Sequence, residues 1–151
     1  MKLPKEEAKK LTEFRQFERF AGQMNWPCSQ DNVKHMKIPY PDIEYSGLVE
    51  TVALEITSII ENEIAQAYSN AVNGQIIYPT FNARSVINKK LGKVYSSTHS
   101  IELLVCHDGA MATDDMVIPE LQEAIGNAPS NPFQKIWYSG ENGATLVYPF
   151  E

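Results

Sequence analysis

A glutamate, Glu55, stands inside the apolar run TVALEITSII. In an extended strand successive side chains face opposite sides. Val52, Leu54 and Ile56 then share one face, and Ala53, Glu55 and Thr57 the other. The apolar surroundings predict a central strand, where an unpaired carboxylate is costly to bury. Glu55 there needs a cation, a metal or an opening to water; a strand face that is simply wet satisfies it as well. If the chain reverses about Leu48-Val49, residue 55 pairs with residue 42, which is a second carboxylate, Asp42. Directly opposed like charges are unfavourable unless something positive lies between them. Two hard oxygen ligands at one cleft edge suit Mg2+ or Mn2+, which prefer carboxylates and water. A register slip of one residue would destroy the pair.

The elements that must position these acids follow from periodicity and breakers. Apolar residues recur at helical spacing through Leu11, Phe14, Phe17, Phe20, Ala21 and Met24, predicting a helix over 5–24. Trp26-Pro27 ends it, because proline cannot continue the ladder. Residues 27–41 read as loop with a short strand near Lys37. Strands are expected at 42–49 and 51–57 about a reversal at Ser46-Gly47, then a helix at 58–72 closed by Asn73-Gly74 and another at 82–95. IELLVCH at 101–107 reads as a buried strand, 118–125 as a short helix, and 134–138 and 144–148 as a closing hairpin about Gly140–Gly143. The order predicts one α/β domain over 1–151, with a central mixed sheet flanked by helices.

Composition narrows the function classes. No apolar run approaches the roughly 20 residues that cross a bilayer, and the charged start MKLPKEEAKKLTEF lacks a signal peptide's apolar stretch. Two cysteines, Cys28 and Cys106, make no disulfide framework, so a reducing compartment, the cytoplasm, is the expectation. A net charge of −6 argues against loose, sequence-blind binding of nucleic acid. Yet twelve of the thirteen basic residues fall in two blocks, between Lys2 and Lys37 and between Arg84 and Lys93. That spacing is compatible with one basic face, or with two solvated helix faces.

Pro41-Asp42, twelve intervening residues, then Glu55-Ile56-Thr57 resembles the signature of the PD-(D/E)XK, or restriction-endonuclease-like, superfamily. The order of a leading helix, a hairpin bearing both acids, a helix and an apolar strand is similar to that family as well, over residues 11–107. The resemblance implies a divalent-metal-dependent nuclease in which Asp42 and Glu55 hold Mg2+ or Mn2+, acting on nucleic acid, in the first place DNA. It implies a further acid from the first helix. Glu13 and Glu18 both edge its apolar stripe, and Glu18 is preferred. The sequence departs from the signature at Thr57, which stands where the family has lysine and cannot carry that charge. Lys89, Lys90 and Lys93 on the following helix offer substitutes. Lys90 lies at the edge of the stripe formed by Val86, Ile87, Leu91 and Val94, so it is expected in the catalytic set, with Lys93 in reserve. The alternative is a scaffold without catalysis that binds nucleic acid or a protein; a homodimer is compatible with either.

Other constellations carry less. Cys106-His107-Asp108 cannot converge as a triad if the three are consecutive strand residues. Cys28, His35, Cys106 and His107 lack zinc spacing. Asp108, Asp114 and Asp115 lack the calcium-loop pattern. Trp137, Tyr138, Tyr148 and Phe150 could stack bases, but at alternating strand positions they fit a core or sheet surface.

Overall fold

Helix α1 spans Lys5–Met24 in a computed structural model that describes residues 4–59, 83–107 and 113–150. Its buried residues, Glu13, Phe17, Phe20 and Ala21, follow the helical repeat. Leu11, expected on that stripe, is instead exposed. The helix stops before Trp26-Pro27. Asn25 adopts the left-handed conformation (φ 58°), and the Trp26 amide returns to the Ala21 carbonyl at 2.8 Å, the arrangement that satisfies a helix's last carbonyls. Trp26 is thereby turned onto Tyr45, its ring parallel at 5.8 Å.

A short 3-10 turn, Gln30–Asn32, leads into β1, Val33–His35. Then come β2, Ile43–Tyr45, and β3, Val52–Ile59. Helix α2, Ala83–Leu91, precedes β4, Ile101–His107. Helix α3, Asp114–Asn127, precedes the closing hairpin of β5, Lys135–Ser139, and β6, Ala144–Tyr148. The six strands form one mixed sheet in sequence order. β2 runs antiparallel to both β1 and β3, β3, β4 and β5 run parallel, and β6 returns antiparallel.

Alternation along β3 works as expected. Val52, Leu54 and Ile56 join the α1-side core with Phe17, Phe20, Ile43 and Tyr45. On the other face Ile59, Leu103, Val105 and Tyr138 pack under α2 and α3. The sheet is therefore sandwiched between α1 and the α2–α3 pair, a three-layer α/β arrangement. Among the described residues no helix is long and apolar enough to cross a membrane.

Several boundaries move. Of the helix expected at 58–72, Ser58 and Ile59 belong to β3, and the rest lies outside the described residues. The expected strand over 42–49 shrinks to three residues, leaving Leu48 and Val49 exposed. The strand placed near Lys37 lies earlier, at β1. Helix α2 ends at Leu91, so Val94 is exposed rather than inward. Trp137 and Tyr138 are buried and belong to the core.

The β5–β6 turn is held by Asp114 at the start of α3. Its carboxylate accepts the amides of Glu141 and Asn142, each at 3.0 Å, and the Tyr138 hydroxyl at 3.1 Å. A Cβ on Gly140 would meet that carboxylate at 2.6 Å, so the close approach requires glycine. Asp114→Ala removes three hydrogen bonds to a charged acceptor, two of them from exposed amides that water then takes over, and is expected to cost about 1–3 kcal/mol. Urea denaturation checks this, and a loss no larger than an ordinary surface substitution, within about 0.5 kcal/mol, would rule the clamp out.

Candidate active site

The hairpin register decides whether the two acids meet. β2 pairs Ile43 with Leu54 and Tyr45 with Val52, which carries Asp42 opposite Glu55 one step beyond the ladder. The Asp42 side chain takes over where the ladder ends. Its Oδ2 accepts the Ile56 amide at 2.8 Å. The Asp42 and Glu55 carboxyls are in hydrogen-bond contact, and Glu55 is 5% exposed. Burial raises the carboxyl pKa of both above the ordinary range, and for Glu55 the neighbouring Asp42 pushes further in the same direction.

Glu13 reaches the same place from α1. It is buried, hydrogen-bonded to Asp42, and its pKa is raised mainly by burial. The expectation for Glu18 is corrected here. Glu18 lies on the exposed side of α1, and Glu13 is the acid that joins the pair. Its place in the sequence carried the signal, since 13, 17, 20, 21 and 24 form one helical stripe with the buried phenylalanines.

Two cations answer the acids. Lys90 Nζ lies 3.1 Å from Glu55 Oε2, with its side chain only 18% exposed. Lys9 Nζ lies 3.7 Å from Asp42 Oδ1 from an exposed position. Lys90 meets Glu55 as expected, while Lys89 points to solvent and Lys93 lies on the exposed rim. Thr57 is half-buried on β3 and holds no charge where the signature has lysine. Tyr95, which sequence reasoning passed over, donates its hydroxyl to Glu55 Oε2 at 2.7 Å. Burial first, and Glu55 second, push its pKa far up, so it stays a donor at any ordinary pH. Nothing in the spacing of Tyr95 pointed to this, because it lies beyond the end of α2 and is brought in by the loop.

These groups open into a cleft of about 570 Å³. Five of the thirteen basic residues line it: Lys9, Lys10, Lys37, Lys90 and Lys93. Members of both basic blocks therefore meet at this cleft, while Arg15 and Arg19 line a second pocket and Arg84 a third. Elsewhere, Cys106 packs in the α1-side core, and Asp108 lies outside the described residues.

Among the described residues no group of three or more His, Cys, Asp or Glu is gathered as a metal ligand set. The donor chemistry still fits a hard cation. Mg2+ is commonly held by one or two carboxylates with water and substrate phosphate completing its shell, and Asp42, half-buried, and Glu55, buried, are touching carboxyls with raised pKa values. No family model, curated protein or solved structure matches the chain.

Proposed function

We propose that this protein is a divalent-metal-dependent nuclease that hydrolyses phosphodiester bonds in nucleic acid on a restriction-endonuclease-like scaffold. The observation that carries the reading is the contact of Asp42 with Glu55 beside Lys90, in a lysine-rimmed cleft. The order of α1, the β2–β3 hairpin bearing both acids, α2 and β4 supports the scaffold.

Asp42 and Glu55 would hold Mg2+ or Mn2+, with Glu13 hydrogen-bonded behind Asp42. An ion bound there supplies a water of lowered pKa and neutralises charge developing on the phosphate. The chain's own residues set the rest. The Ile56 amide orients Asp42, and the Tyr95 hydroxyl orients Glu55. Lys90, delivered by α2 instead of position 57, places a positive charge at the Glu55 carboxylate, where a scissile phosphate would gain from it. The lysines of the rim attract and align the polyanion.

One observation favours a second reading. Lys90 and Lys9 already offset charge on Glu55 and Asp42, so a scaffold that binds nucleic acid without cutting it needs no metal.

Metal linkage separates the two. A ligand that binds only the folded state adds about 2.7 kcal/mol of stability at a hundred times its Kd. Millimolar Mn2+ is expected to raise the melting temperature by several degrees, and Asp42→Ala to remove most of the rise. The rise should also grow with pH. Because the folded pKa of both acids is raised, the folded state holds protons more tightly than the unfolded one. Stability without metal then falls as pH climbs from the ordinary carboxylate range through the raised values, and the ion offsets that loss. An equal rise in wild type and Asp42→Ala would mean diffuse binding to an acidic surface.

A further inference from the structure

Large apolar side chains stand exposed on the rim of the same cleft. Ile38 is 93% exposed, Val94 91% and Tyr40 44%, and all three line the opening above Asp42 and Glu55. They alternate with the cations. One wall reads Lys37-Ile38-Pro39-Tyr40, and the other reads Lys93-Val94-Tyr95. The first wall is a closed turn, with the Tyr40 amide bonded to the Lys37 carbonyl at 2.9 Å and the Met36 amide to the Asp42 carbonyl at 2.9 Å. The second is tied to the first, since the Ser96 amide donates to the Pro39 carbonyl at 3.0 Å. The rim is thus a braced platform whose backbone is fixed while its apolar side chains face water.

We infer that the cleft takes single-stranded nucleic acid, with Tyr40, Ile38 and Val94 receiving unpaired bases while the flanking lysines follow the phosphates. This rests on the nuclease reading for the chemistry below the rim, and it names the substrate class. A continuous duplex presents sugar and phosphate outward and keeps its base faces stacked, so it has nothing to offer three exposed apolar side chains. It would also lay its charge along a protein of net charge −6, of whose ten lysines five line this one cleft. An unpaired strand meets both features. Aromatic faces stack bases of any sequence, and cations tracking the backbone supply the rest.

Fluorescence anisotropy tests this with an unpaired strand of about 20 nucleotides, longer than one such binding site, and a blunt duplex of the same sequence. Ca2+ replaces Mn2+, because it takes the same oxygen ligands. The single strand is expected to bind at least about tenfold tighter than the duplex. Tyr40→Ala should weaken single-strand binding by about tenfold, the scale for losing one stacked base, and Tyr40→Phe should retain it. Val94→Asp, on the other wall, should weaken it too. Circular dichroism melts confirm that each variant folds. With at most five lysines available, log Kd should rise with log salt by no more than about 3.5. Equal binding of the two forms, or no effect of Tyr40→Ala and Val94→Asp, overturns the inference. Asp42-dependent cutting of duplex without single-strand preference would remove this inference and leave the nuclease reading standing. Binding of neither form would remove both.

Discussion

Replacing Glu55 with alanine is expected to abolish Mn2+-dependent cleavage of DNA, lowering the rate by roughly a thousandfold or more, the upper scale for one electrostatic group at a reacting centre. Glu55 is the junction of the site. It touches Asp42, accepts from Lys90 at 3.1 Å and from Tyr95 at 2.7 Å, and is buried. Its removal takes away half of the acid pair and lets Lys90 and Tyr95 swing free. The fold should survive, because the lost group is a carboxylate that burial already penalises. Glu55→Gln keeps the size and an acceptor for Tyr95 but not the charge, and should be as inactive as Glu55→Ala. The measurement is the rate of cleavage of a single-stranded DNA by each purified variant, beside a melt to confirm folding. Cleavage that persists at the wild-type rate in both variants would place the activity elsewhere or in a contaminant, and the assignment of Glu55 would fall with it.

Lys90→Ala is expected to slow cleavage by about 10²–10³-fold, the scale for removing one donor that stabilises transition-state charge. Thr57 sits on β3, two residues after Glu55 on the same face, and has no charge. Lys90 reaches that carboxylate from α2 instead, with its side chain mostly enclosed. If this is a relocated charge, position 57 should still be able to host it. Adding Thr57→Lys to Lys90→Ala is expected to recover about tenfold of the loss, whereas Lys89→Ala, on the solvent side of α2, should be neutral. A Lys90→Ala variant that cleaves at the wild-type rate would reduce Lys90 to a counter-ion for Glu55. A double variant no faster than Lys90→Ala would show that the charge cannot be moved back.

What was legible before the structure was whatever depends on near neighbours in the chain. The stripe of Phe17, Phe20 and Ala21 predicted α1 to the residue, because a 3.6-residue repeat is written locally. IELLVCH predicted β4, since an uninterrupted apolar run of that length suits a strand covered on both faces. The hairpin register was readable only conditionally. A reversal about Leu48-Val49 pairs 42 with 55 and one at Ser46-Gly47 does not, and the inward packing of Leu54 and Ile43 realises the first.

Local signals misled where they conflicted with packing. Helix α3 begins at Asp114 and carries Pro119 within it, although proline removes a helix bond. Val117, Leu121, Ala124 and Ile125 are buried against the sheet all the same. Val94 looked like the next inward position of α2, but the helix stops at Leu91 and leaves Val94 on the rim. That early stop is also what frees the loop to carry Tyr95 to Glu55.

The sequence by itself determined the alternation that puts Glu55 on one face of β3 and the stripe that carries α1 onto the sheet, and it made the pairing with Asp42 depend on where the chain reverses. Each follows from bond geometry repeated every two or every 3.6 residues. Only the tertiary structure decided between Glu13 and Glu18, seated the Lys90 expected from the α2 stripe against Glu55, and added Lys9 and Tyr95. Those choices turn on where α1 and the loop after α2 cross the end of the β2–β3 hairpin, between residues 29 to 40 positions apart in the chain. Over such separations the chain can approach from many directions, and the one realised is set by how Phe17 and Phe20 seat against Tyr45 and Trp137, a matter of side-chain shape that no periodicity records.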